Sequence, residues 1–143
     1  MHLWRGHISG MEWLRFRVEV PRGSFLKREG QRVEYLSPFP CPFNYGSLEE
    51  GLAADGDAPD VVLLGARVRR GALREAPRVG RVRFRDNGLQ DDKLVASYRS
   101  PGAAEKRRVE LFFRMYAPLR GLLNRLRGQQ GETRYEGTEW EIT

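Results

Sequence analysis

All six aspartates of this 143-residue chain fall in two short segments. Asp55, Asp57 and Asp60 lie in DGDAPD, and Asp86, Asp91 and Asp92 lie in DNGLQDD. The 13 glutamates are scattered. Aspartate is the short, stiff carboxylate that hard cations prefer, and it also favours turns. Ordinary turn preference accounts well for one such cluster and less well for two, with no Asp elsewhere. In an extended segment Asp55 and Asp57 point to one side, and Gly56 permits a close turn. Asp60 sits at the mouth of the next strand, and Asp91 and Lys93, two apart, face the same way on a strand. If the two loops meet, at least four carboxylates and one ammonium share a pocket. Carboxylates that close raise one another's pKa, so the arrangement makes sense only with cations present. All-oxygen ligation selects Mg²⁺, Mn²⁺ or Ca²⁺ over zinc. DGDAPD is not the EF-hand pattern, which needs a later carboxylate at fixed spacing and flanking helices.

The elements that must position these loops read as mainly β. Leu14, Phe16, Val18 and Val20 alternate with charged residues, the period of a half-buried strand, and Pro21 stops it. Residues 27–30 form a strand end or turn, and Arg32 to Leu36 a second short strand. SPFPCPFNYG, residues 37–46, carries three prolines and reads as an extended, packed loop outside any regular ladder. Asp60 to Leu64 is an apolar strand leaving the first acidic loop. Val79 to Arg85 and Lys93 to Tyr98 form a hairpin around the second. Val109, Phe112, Phe113, Tyr116, Leu119 and Leu123 recur at helical spacing, with arginines on the remaining face. Pro118 is expected to kink or split this helix. Residues 133–143 alternate weakly, as a last strand would. The fold class is therefore mainly β (α+β), a small barrel with one or two C-terminal helices packed on it. Residues 1–10 read as a flexible arm carrying His2 and His7, and 11–143 as a single domain.

Composition narrows the function classes. With 40% hydrophobic residues the chain is too apolar for wholesale disorder. Its longest strongly apolar run, residues 61–64, is far short of the roughly 20 residues of a membrane span. The lone Cys41 excludes an internal disulfide framework and reads as a small buried hydrophobe. With no signal-peptide pattern at residues 1–10, a cytoplasmic location is expected, and no membrane partner. Net charge is +6, and 22 of the 25 cations are Arg, a bidentate partner for phosphate and carboxylate.

VEVPRGSFLKRE, PFNYG, DGDAPDVV, DNGLQDDKLVAS and FFRMY occur in the order found in soluble family I inorganic pyrophosphatases. Over about residues 13 to 117 the chain resembles that family, whose D-[SG]-D-P-x-D-[VL] pattern is approximated by residues 55–61 and whose D-x4-D-x-K is met by Asp86, Asp91 and Lys93. The resemblance implies a five-stranded OB-like closed barrel with helices outside it. It implies that Asp55, Asp60 and Asp91 bind a first metal, Asp60 also reaching a second. By the same resemblance Asp86 and Asp91 would hold a metal that enters with substrate, and Asp57 would be the general base. Glu19 and Glu29 complete the acidic wall, partly through water. The resemblance would give phosphate oxygens to Lys27, Tyr45, Lys93 and Tyr116, and to Arg32 if one residue is inserted before Pro42. The implied cofactor is Mg²⁺, with Mn²⁺ as a substitute, and the implied partners are pyrophosphate, phosphate and further copies of the chain. Four positions depart from the pattern: Ala117 stands where the family has Lys, Cys41 where Tyr is common, and Leu111 and Met115 where many bacterial members have interface histidines.

The implied reaction is Mg²⁺-dependent hydrolysis of inorganic pyrophosphate to two phosphates by an activated water. A catalytically altered homologue that binds phosphate compounds or metal is the alternative that Ala117 motivates. An OB-type nucleic-acid module, suggested by the arginines, ranks third, because clustered aspartates repel phosphates without metals. The bland readings are that Lys93 merely pairs with Asp91 on a surface, that Glu19 pairs with Arg17, and that Tyr116 is a core aromatic.

Overall fold

Alternating apolar residues set the first strand, β1 (Trp13–Val20), with Leu14, Phe16, Val18 and Val20 buried and Arg15 and Arg17 exposed. The computed structural model describes residues 12–29, 32–36, 40–49 and 59–141, of which 26–29 and 32–36 are described by backbone pairing. The expected arm at residues 1–10 and the first acidic loop with Asp55 and Asp57 lie outside the described residues, as do the side chains of Lys27, Glu29 and Arg32.

After β1 come a hairpin of β2 (Leu26–Glu29) and β3 (Arg32–Leu36), then β4 (Asn44–Leu48) and β5 (Asp60–Leu63). The long β6 (Leu73–Asp86) leads to the two-residue β7 (Leu89–Gln90) and to β8 (Lys93–Ala96). Helix α1 (Ala103–Leu126) and β9 (Arg134–Trp140) follow. Strands pair in the order β1-β4-β5-β8-β6, and β6 pairs back to β1, closing a five-strand ring of hydrogen bonds. Only the β5–β8 pairing in that ring is parallel.

Two sequence expectations are corrected here. Asn44 to Gly46 belong to β4 rather than to a proline-rich loop, because the last proline of that segment is Pro42 and every later backbone N–H can enter a ladder. Gly46 makes the close approach to β1 possible: a Cβ there would lie 1.9 Å from the Arg17 carbonyl oxygen. Pro118 does not split the helix, which is assigned through it from Ala103 to Leu126. Phe113, Tyr116, Ala117 and Gly121 are buried on either side of it, and this packing holds the turn that lacks one backbone hydrogen bond.

Side-chain alternation divides the core. Leu14, Phe16, Val18, Val61, Leu63 and Leu94 pack inside the ring. Val62, Val82, Phe84 and Val95 point the other way, toward Val109, Phe113 and Tyr116 of α1. β5 is therefore apolar on both faces, as a central strand must be. Phe113 stacks on Phe43 and meets Phe84 edge-on, with ring centroids 5.8 and 6.0 Å apart. Full burial of one such side chain stabilises by roughly 1.5–3 kcal/mol. Cys41 is buried, as its apolar surroundings suggested. No helix among the described residues is long and apolar enough to cross a membrane.

Candidate active site

Ser47, Asp60, Lys93 and Val82 are successive Cα partners across β4, β5, β8 and β6. The parallel pairing of β5 with β8 therefore brings the first residue of each strand together, one carboxylate and one ammonium from distant sequence. Both side chains share the alternation of Val62 and Val95, the face that α1 covers.

Lys93 is 1% exposed. Its ammonium lies 3.1 Å from Asp60 Oδ2 and 2.7 Å from Asp91 Oδ2, and 5.3 Å from the centre of the Phe84 ring. A buried ammonium persists only when paired, and two carboxylates supply that pairing here. The surface-pair reading of Lys93 is thus corrected: the cation is inside and only its partners reach solvent. The Asp60 side chain is 26% exposed and that of Asp91 40%. Tyr45 donates its hydroxyl to Asp60 Oδ2 at 2.6 Å. Burial, then the Asp60 charge, push the Tyr45 phenol well above its ordinary value of 10.0, so it remains a donor at neutral pH. Tyr45 is held next to Asn44, a buried amide that accepts from the backbone of Arg22 and Val68 and donates to the Ala66 carbonyl. Tyr116 reaches the same face from α1, stacked on Phe112 and 5.8 Å from Phe84. It is a core aromatic by burial. Glu19 stands on β1 and accepts a hydrogen bond from Ser47, the strand neighbour of Asp60. Arg17 instead pairs with Glu49, so the Arg17–Glu19 reading is replaced.

Asp86 takes part in a different knot. Its Oδ2 is 3.2 Å from Arg120 Nε, and its Oδ1 is 2.7 Å from Asn124 Nδ2 and 3.4 Å from Thr133 Oγ1. Asn87 (φ 50°) and Gly88 (φ 82°) follow in the left-handed conformation that a two-residue hairpin turn between β6 and β7 requires. The Asn87 N–H donates to Thr133 Oγ1, and Asn87 Oδ1 accepts from the Gly131 N–H. Asp91 and Lys93 therefore meet Asp60, whereas the contacts of Asp86 run to the helix and to the segment before β9.

Among the described residues no three Asp, Glu, His or Cys side chains gather closely enough to hold a metal ion. The inorganic pyrophosphatase family profile matches residues 16–108. The chain belongs to the family I inorganic pyrophosphatases. A Saccharolobus solfataricus inorganic pyrophosphatase is 37% identical over 89 residues, 55% of this chain and 51% of that protein. One from Neisseria meningitidis serogroup B is 32% identical over 124 residues, 71% of this chain and 70% of its own length. The chain spans about half the length of the Saccharolobus relative, and 41% of the soluble inorganic pyrophosphatase of Oryza sativa. The Thermus thermophilus inorganic pyrophosphatase crystal structure superposes with a TM-score of 0.73 at 20% identity, covering 93% of this chain and 85% of that one. At that identity the superposition speaks for the pyrophosphatase fold.

Sequence reading of this pyrophosphatase homologue missed Ser47, Arg120, Asn124 and Thr133. Tyr116, Arg120 and Asn124 recur every four residues and so share one helix face, a signal present in the sequence but masked by the many arginines around it. Ala117, where the family pattern has Lys, is 5% exposed.

Proposed function

We propose that this chain catalyses hydrolysis of inorganic pyrophosphate to two phosphates in the presence of Mg²⁺. The observation that carries this reading is the buried Lys93 ammonium shared by Asp60 and Asp91 from two distant stretches, in a chain of this family. The five-strand ring is then read as the family's OB-like closed barrel, within a single domain of residues 11–143, and the location as cytoplasmic.

Carboxylate oxygens that reach solvent beside an ammonium suit a hard divalent cation. Asp55, Asp60 and Asp91 would hold it, with Glu19 and Glu29 reaching it partly through water. When bound, the ion supplies charge to neutralise pyrophosphate oxygens and acidifies a water at neutral pH. Asp57 takes the proton of the attacking water as its oxygen bonds to one phosphorus. The bridging P–O bond breaks, and the second phosphate leaves with the bridging oxygen. Lys93 spends two N–H donors on Asp60 and Asp91, and by the family pattern its third would meet a phosphate oxygen once substrate displaces the acids that cover it. Lys27, Arg32 and Tyr116 stabilise charge on the leaving phosphate. Tyr45 orients the Asp60 carboxylate through its hydroxyl.

The test is phosphate release from pyrophosphate by purified protein with Mg²⁺ or Mn²⁺, beside an Asp57→Asn variant. Release by the wild type and its loss in the variant are expected. Release no greater than the variant's overturns the assignment. Ala117, buried where the family pattern has a cation, favours a second reading: a homologue with altered catalysis. Faster cleavage of longer or organic polyphosphates than of pyrophosphate would establish that instead.

A further inference from the structure

The Asp86 carboxylate has donors on both oxygens. One is a guanidinium whose side chain is 14% exposed, and another is the amide of Asn124, 1% exposed. Asn124 Nδ2 also donates to Thr133 Oγ1 at 3.0 Å, so amide and hydroxyl are fixed on each other as well as on Asp86. The turn beyond Asp86 is tied to the same segment, with the Gly88 N–H donating to the Glu132 carbonyl at 2.7 Å. Helix, hairpin turn and the chain before β9 thus meet on one carboxylate. A divalent ion binding there would have to displace a permanently charged group and strand a buried amide donor, which is costly.

The family resemblance gave Asp86, with Asp91, to a metal that enters with substrate. It also called for Lys at position 117, which is Ala117 here. Arg120 lies three residues beyond Ala117 and four beyond Tyr116, on the same helix face, and its positive charge sits on Asp86. Resting on the pyrophosphatase reading, we propose that Arg120 is a built-in cation. Its guanidinium occupies Asp86 in place of a divalent ion, and the chain works with Asp86 closed to metal. Arg120 is in this sense a positioning residue that sets how many ions the site takes up.

Crystals soaked in Mn²⁺ and imidodiphosphate test this by anomalous scattering. The expected wild-type result is Mn²⁺ at Asp60 and Asp91, with Arg120 still on Asp86 and no Mn²⁺ touching Asp86. The same soak of Arg120→Met should place Mn²⁺ on Asp86. Mn²⁺ ligated by Asp86 in the wild type, or none there in Arg120→Met, overturns the proposal. Should Arg120→Met fail to fold, Mn²⁺ counted by electron paramagnetic resonance in wild type and Asp86→Asn decides: equal counts are expected, and a lower count in the variant overturns it. Phosphate release is scored separately. Its absence, with Mn²⁺ bound at Asp60 and Asp91 and Arg120 on Asp86, sinks hydrolysis alone. Absence of Mn²⁺ from Asp60 and Asp91 sinks both.

Discussion

Two carboxylate–cation knots stand on the same side of this molecule, and they are built on opposite plans. In one, Lys93 is buried and its partners Asp60 and Asp91 reach solvent. In the other, Asp86 is wedged between Arg120 and Asn124, both largely shielded. A compact ammonium on a strand sits beneath carboxylates that reach solvent. A planar guanidinium backed by an amide and a hydroxyl uses the carboxylate up. Similar residue types thus make one knot whose acids face solvent and another that holds the helix on the sheet.

The largest expected effect comes from removing the cation of the first knot. Lys93→Met leaves Asp60 and Asp91 facing each other without their counter-charge. The predicted loss in kcat/KM for pyrophosphate is about 10²–10³-fold, the scale of one preorganised charge donor. Steady-state kinetics at saturating Mg²⁺ measure it, and a loss under threefold would erase the contrast between the knots. Next in size is Asn124→Ala, which strips Asp86 of its 2.7 Å donor. Urea unfolding should show a loss of about 1–3 kcal/mol, with Mn²⁺ affinity at Asp60 and Asp91 within twofold of the wild type. A large fall in that affinity would mean that the knots are one site.

The smallest effect is expected from Tyr45→Phe and appears at alkaline pH. The folded phenol titrates above its ordinary 10.0, so the unfolded chain releases the proton first. Its contribution is complete below pH 10 and is lost as pH rises toward the folded value. The wild type should therefore lose stability from about pH 10 upward more steeply than Tyr45→Phe. Tyr98 and Tyr135, raised mainly by partial burial, keep some slope in both proteins. Equal slopes in unfolding titrations at pH 9 to 11 would remove Tyr45 from this account.

Much of the first knot is legible in the sequence. Asp91 and Lys93 are two apart, and a strand must point them the same way. The apolar run after Asp60 reads as a strand, and the alternation of β1 gives its inward face. The β5–β8 pairing was not legible, because parallel partners far apart in sequence leave no local mark. The second knot was read in half. Asp86 stood out as one of few aspartates, but its partners are an Arg among 22 and an Asn on a helix. Pro118 misled because intrinsic propensity was weighed without the aromatic packing that holds the helix together. SPFPCPFNYG misled likewise: its prolines precede the strand rather than interrupt it.

The parallel pairing of β5 with β8 also bears on how the molecule is made. During synthesis Lys93 leaves the ribosome 33 residues after Asp60. Until then the Val61–Leu63 segment can lean on β4 alone, with its other backbone edge unclaimed. Open apolar edges of this kind invite pairing with other chains. The nascent protein is therefore most vulnerable to aggregation in the interval before its lysine emerges, and a chaperone that shields extended apolar segments would act there.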